Sequence, residues 1–229
     1  MNFSYSYGLR YYVLLSHQKQ FLFVHIAKTG GTSVRAALAP YRWGHRYAVP
    51  QFICNKMSQL TGHKIASRFP RHARIIAAKE MLPEDYFRGL FKFAIVRNPW
   101  DLQVSSFHHI KRERPYLMQD HSDFESFMKW KFDPDRQFQY HIDTSLQLQT
   151  DYLVDLRGEV LVDFIGHYET LDEDFSQICR QLGLNNVTLP HKRQATDRTD
   201  FRQYYTTELI DLVSTHFRED ITRLRYAFE

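Results

Sequence analysis

The chain has 229 residues, 43% of them apolar and 15% aromatic; that is enough to bury one large core and too few to argue for two, so residues 1–229 are read as one domain. Charged residues make up 24% with both signs interspersed, and no stretch is rich in Pro, Gly or Ser, which excludes a disordered tail or a linker. The net charge of +4 suits an anionic ligand but falls short of the dense basic stripes of a nucleic-acid binder, so no nucleic-acid partner is expected. Cys54 and Cys179 lie far apart without metal-ligand spacing, so both are expected as reduced structural thiols and no metal is expected. The apolar run Tyr11 to Leu15 is too short for a signal-peptide core, and no segment approaches the length of a membrane span; a cytoplasmic location is the expectation.

Strand and helix signals alternate, which predicts an α/β architecture around a central parallel sheet. Gln20 to Ile26 is a short apolar run that enters the turn Lys28-Thr29-Gly30-Gly31-Thr32-Ser33, and Val34 to Ala39 favours helix. Leu90 to Val96 repeats the grammar: a buried-strand candidate, broken by Asn98-Pro99, with Asp101 placed to cap a helix through Ile110. A third strand is expected over Val160 to Ile165, followed by a helix around Leu171 to Leu182 that Gly183 closes. Leu209, Leu212, Val213, Phe217, Ile221 and Leu224 keep helical spacing, predicting one long amphipathic C-terminal helix packed on the sheet. Arg112 to Tyr152 is aromatic and charged without clear period, a segment suited to an acceptor-binding lobe.

The first turn carries the chemistry. Paired glycines at the end of a strand let backbone N–H groups converge on an anion, and the following helix adds its positive N-terminal dipole. Phosphate or sulfate is the ligand such a turn holds. The order is Lys-Thr-Gly-Gly-Thr-Ser, with lysine ahead of the glycines, whereas the nucleoside-triphosphatase loop carries lysine after them.

The block Phe23-Val24-His25-Ile26-Ala27-Lys28-Thr29-Gly30-Gly31-Thr32-Ser33 resembles the 5'-phosphosulfate loop of the type 2 sulfotransferases, with Ala27 where that family usually carries proline. Phe93 to Asp101, followed by Val104-Ser105-Ser106-Phe107, is similar to the same family's 3'-phosphate motif. Val162 to Gly166 with Tyr168 and Glu169, then Leu189-Pro190-His191, Tyr204-Tyr205 and Asp220 to Tyr226, also resemble family landmarks. The resemblance covers nearly the whole chain and is weakest over Arg112 to Tyr152.

The resemblance implies a single P-loop-NTPase-like domain that moves a sulfuryl group from 3'-phosphoadenosine-5'-phosphosulfate (PAPS) to a hydroxyl of a glycan or small-molecule acceptor and releases PAP, without a metal. It implies that Lys28 stabilises the leaving group, that Lys28, Thr29, Gly30, Gly31, Thr32 and Ser33 hold the 5'-phosphosulfate, and that Arg97 and Ser105 hold the 3'-phosphate. Ser33 also has the chemistry of a helix cap, and Trp100 and Asp101 read as structural, the aspartate orienting Arg97. Arg198 is placed over the nucleotide as part of a lid. Among 12 histidines, His72 matches the family layout of the general base, with His63 as its rival and His25 as a structural residue; imidazole suits the role because its unperturbed pKa is about 6.5. Two rival readings are a P-loop kinase or NTPase, which needs magnesium, and a nucleotide-binding module without catalysis.

Overall fold

The structure, a computed structural model, describes residues 14–41, 72–118, 120–190 and 199–229. One sheet holds β1 (Leu14–Ser16), β2 (Phe21–Val24), β3 (Phe91–Val96) and β4 (Phe164–His167), in that order across the sheet. β2, β3 and β4 are parallel, with Phe23 opposite Phe93 and Phe93 opposite Phe164. The edge strand β1 is antiparallel to β2, so the expected parallel sheet is mostly parallel. Its helices are α1 (Gly31–Leu38), α2 (Ile75–Met81), α3 (Glu84–Gly89), α4 (Pro99–Glu113), α5 (Phe124–Lys131), α6 (Tyr140–Asp143), α7 (Leu171–Gln181), α8 (Thr207–His216) and α9 (Arg218–Leu224).

Side chains alternate between the two faces of a strand, and both faces here are covered. Phe21, Phe23, Phe93 and Ile95 pack under Val34 and Leu38 of α1 and Phe175, Ile178 and Cys179 of α7. Leu22, Val24, Ala94 and Val96 pack under Ile75 and Ala78 of α2 and Phe87 of α3. Phe21, Phe23 and Phe93 are fully buried, each stabilising the fold by about 1.5–3 kcal/mol relative to exposure. Burial on both faces is why these strands read as continuous apolar runs. Cys179 is a packing residue of this core, its thiol pushed up by burial; Cys54 lies outside the described residues.

Three expectations are corrected. The third strand is Phe164–His167 rather than Val160 to Ile165. Val160 pairs only with Val154 in an isolated bridge, and contact with β3 begins at Asp163, whose N–H donates to the Lys92 carbonyl (2.7 Å) and whose carboxylate accepts from the Lys92 N–H (2.7 Å). Asp101 does not cap α4; Asn98 does, its Oδ1 accepting from the Trp100 and Asp101 amides at 3.0 and 3.5 Å, because Pro99 occupies the first helical position with its φ already set. The single C-terminal helix is two, α8 and α9, broken at Phe217. Leu209, Val213 and Phe217 pack on Trp100 and Val104 of α4 and Phe127 of α5 rather than on the sheet.

Among the described residues no helix is long and apolar enough to cross a membrane. The segment after α4 is partly helical, as its composition suggested, and holds α5, α6 and short 3-10 turns.

Candidate active site

Parallel pairing puts the carboxyl ends of β2, β3 and β4 side by side, and β2 and β3 run directly into residues that can bind an anion. β2 leads through His25 and Ile26 to the Lys28–Ser33 turn, β3 leads to Arg97 and Asn98, and β4 leads to Tyr168 and Glu169.

The turn is held from inside. Thr29 is fully buried and its hydroxyl donates to the Ile26 carbonyl (3.1 Å). Lys28 is left-handed at φ 69, a conformation that costs a non-glycine residue about 1–3 kcal/mol and persists where the surroundings impose it. Gly30, at φ 78, caps α1 without a side-chain bond, and its carbonyl accepts from the Ser33 amide at 2.9 Å. Ser33 is therefore inside the helix, not its cap. The amides of the first helical turn lie ahead of the helix ladder, where an anion is favoured.

Gly31 explains why the second glycine is needed. A Cβ at this position would fall 2.2 Å from both Cδ2 and Nε2 of His25. That ring is buried, stacked on Phe23 at 5.6 Å between centroids and tilted against His72 at 4.6 Å, so it has little room to give. Gly31→Ala should cost about 1–3 kcal/mol through overpacking, read as a lower Tm together with loss of activity; an unchanged Tm would show that the His25 ring moves freely.

Arg97 is 3% exposed and held on several sides. Its Nε donates to Asp101 Oδ2 (2.7 Å), its Nη1 donates to the Lys28 carbonyl (2.9 Å), and its guanidinium lies 3.8 Å from the centroid of the Tyr168 ring. Gln149 pairs with its backbone as a strand would, Oε1 accepting from Arg97 N (2.8 Å) and Nε2 donating to Arg97 O (2.7 Å). Nη2 is buried with no hydrogen-bond partner among the described residues, so two charged N–H donors remain to be given to a ligand. Burial lowers the guanidinium to about 10, against the opposing influence of Tyr168 and Glu169; it stays charged at neutral pH. The bond to the Lys28 carbonyl ties Arg97 directly to the Lys28–Ser33 turn.

Asn98 is fixed in turn. Its N–H donates to Glu169 Oε1 (2.7 Å) and its Nδ2 to the Ala227 carbonyl (2.9 Å), while Glu169 Oε2 accepts from the Tyr226 hydroxyl (3.2 Å). Trp100 is buried and donates to the Ile210 carbonyl (3.3 Å). Ser105 lies one turn beyond Asp101 on α4, half-buried, and so shares the helix face that Asp101 turns to Arg97.

His72 comes within reach of the same turn, its Nδ1 2.8 Å from the His25 carbonyl. A carbonyl only accepts, so Nδ1 carries the proton and a neutral imidazole keeps its lone pair on Nε2. Lys28, Arg97 and His72 are thus linked through two backbone carbonyls, those of Lys28 and His25. Arg198 and His63 lie outside the described residues.

Among known proteins, the sulfotransferase family matches residues 11–227. The chain belongs to the sulfotransferase family. An Archaeoglobus fulgidus protein, described as uncharacterized, is 34% identical to this sulfotransferase over 100 residues, 43% of this chain and 72% of that one. Mouse sulfotransferase SULT7A1 complexed with PAP is similar in structure over 90% of this chain and 85% of its own, at 18% identity and a TM-score of 0.48. A sulfotransferase from Alicyclobacillus acidocaldarius is similar over 62% of this chain and 57% of its own, at 17% identity and a TM-score of 0.36.

Gln149 carried no motif and no periodicity in the sequence, so its role was invisible there. Tyr168, Glu169 and Tyr226 stood out only as family landmarks, without a role; the structure makes them a clamp on Arg97 and Asn98.

Proposed function

We propose that this sulfotransferase takes its sulfuryl group from PAPS and gives it to a hydroxyl of a carbohydrate or small-molecule acceptor. The observation that carries the cosubstrate reading is the buried Nη2 of Arg97 without a hydrogen-bond partner among the described residues, beside a Gly-Gly helix entrance that can hold a second anion. Two anion sites joined through the Lys28 carbonyl suit a nucleotide that is phosphorylated at one end and sulfated at the other.

PAPS supplies an activated sulfate whose bridging S–O bond can break toward the 5'-phosphate. Arg97 and Ser105 hold the 3'-phosphate, and Lys28, Thr29, Gly30, Gly31, Thr32 and Ser33 hold the 5'-phosphosulfate, with Thr29 contributing through its backbone. Nε2 of His72 takes the proton of the acceptor hydroxyl as its oxygen bonds to sulfur. Lys28 neutralises the charge that develops on the phosphate oxygen. Arg198 belongs to the same reading as a lid residue over the nucleotide.

The acceptor side rests on the segment between α4 and β4. Tyr116, Phe138 and Tyr140 are exposed there, and Arg114 Nη1 donates to the Tyr116 hydroxyl (3.3 Å). Exposed aromatic faces next to guanidinium groups suit a sugar ring or a planar acceptor that carries negative charge.

Isothermal titration without magnesium tests the cosubstrate. PAP should bind the wild type far more tightly than ADP does, and Arg97→Ala should weaken PAP by about 10²-fold, since a buried charge partner is removed. Indifference to the 3'-phosphate, or a preference for ATP with magnesium, would overturn the reading and favour a kinase.

A further inference from the structure

Lys131, the last residue of α5, is completely buried. Lysine is almost never fully buried without a carboxylate partner, yet among the described residues its Nζ meets three neutral groups: Gln103 Oε1 (2.6 Å) and Ser106 Oγ (3.1 Å) on α4, and Ser145 Oγ (2.8 Å) after α6. Ser106 Oγ and Ser145 Oγ are 2.9 Å apart, and Ser145 Oγ donates to the Ile142 carbonyl (2.8 Å).

Counting hydrogens fixes the charge. The five contacts of this knot need five protons, and the two serine hydroxyls bring one each. The remaining three must come from Nζ, so the network is complete only with an ammonium; a neutral amine would leave one buried contact unmade, which is costly.

The charge lies close to the anion site. Gln103 and Ser106 lie on either side of Ser105 on α4, the helix that Asn98 caps just after Arg97, and Ser145 lies four residues before Gln149, which pairs with the Arg97 backbone. Among the described residues, the charged groups that act on Lys131 are Arg136, Asp143 and Lys28. Asp143 is taken by Arg136 (2.6 Å), so the Lys131 ammonium keeps its field. Burial, first, and then Arg136 and Lys28 make its proton easier to lose, with Asp143 opposing them.

We propose that Lys131 is a buried positioning cation of the sulfuryl-transfer site: held as an ammonium by Gln103, Ser106 and Ser145, it acts through Lys28 and α4 to strengthen binding of the anionic cosubstrate and its product. The proposal rests on the PAPS reading above. An anion placed against Lys28 attracts both ammonium groups, so the like-charge repulsion between them becomes a shared attraction. By linkage, nucleotide binding favours the protonated form of Lys131 and therefore takes up protons wherever that group titrates, a range that burial moves down from the ordinary lysine value.

The test is titration with PAP at pH 7 and pH 9, each in two buffers of different ionisation enthalpy, on the wild type, Lys131→Met and Lys131→Gln. Wild type should take up protons on binding PAP at pH 9, beyond the uptake that Arg97 retains in the variants. Folded variants should bind PAP about tenfold more weakly and lose that extra uptake; a role in packing alone would lower Tm without changing the proton count. A folded variant with wild-type PAP affinity and wild-type proton uptake overturns the proposal. Should neither variant fold, Arg97→Ala separates the two groups: uptake on PAP binding that persists without the guanidinium supports Lys131, and uptake that vanishes with it overturns the proposal. Wild type that does not bind PAP at all instead sinks the cosubstrate reading.

Discussion

His72→Asn should lower kcat by about 10²–10⁴-fold, the usual contribution of a positioned general base, while PAP affinity stays within about threefold of wild type. The asparagine amide can still donate to the His25 carbonyl, which Nδ1 reaches at 2.8 Å, so the local structure is kept while the proton acceptor is removed. Because a protonated imidazole has no lone pair to offer, the acid limb of the wild-type kcat/KM profile should also disappear in the variant. Transfer from labelled PAPS to a screened acceptor, with PAP titration alongside, separates catalysis from binding. Asparagine with wild-type kcat would remove His72 from the reaction and return the role to another histidine.

The sheet was legible in the sequence where burial on both faces leaves a continuous apolar run. Phe21–Val24 and Phe91–Val96 fall inside the runs expected for them. β4 was misplaced because Val160 and Leu161 look like a strand, while pairing depends on where Asp163 meets Lys92, and a non-local contact leaves no local signal. The C-terminal helix keeps its apolar period through Phe217 although the axis breaks there; side-chain spacing alone does not record a change of direction.

The site divides in the same way. The turn from Lys28 to Ser33 and Arg97 stood out because anion binding would need such residue types at fixed offsets from a strand end, and both do follow strand ends. Of what holds them, the Asp101 contact to Arg97 was expected; the rest was not. Gln149 acts as a strand partner made from a side chain, and Lys131 reads as an ordinary solvated helix residue until α4 covers it. His72 is distant in sequence from His25, and only the fold brings their rings to 4.6 Å.

Asp220→Ala should produce a large loss of stability while leaving the candidate site residues intact. Asp220 is fully buried, and its carboxylate accepts from Gln149 N (2.8 Å), Thr150 N (2.8 Å) and Thr150 Oγ1 (2.7 Å). Alanine would strand two buried backbone N–H groups and a hydroxyl, a cost of about 3 kcal/mol, equivalent to roughly 6–12 °C in Tm for a domain of this size. PAP binding should weaken as well, because Gln149 carries the effect to the Arg97 backbone. Burial raises the Asp220 carboxyl above its ordinary 3.8, with its hydrogen bonds opposing the shift. An acid whose folded-state pKa is raised contributes stability when protonated, and that contribution fades as pH climbs from its ordinary value through the folded one. Asp220→Asn does not titrate, so its deficit against wild type should be larger near pH 4 than at pH 7. A Tm for Asp220→Ala within 2 °C of wild type, to within about 1 kcal/mol, would mean that Gln149 and Thr150 are held by the packing around them and not by this carboxylate.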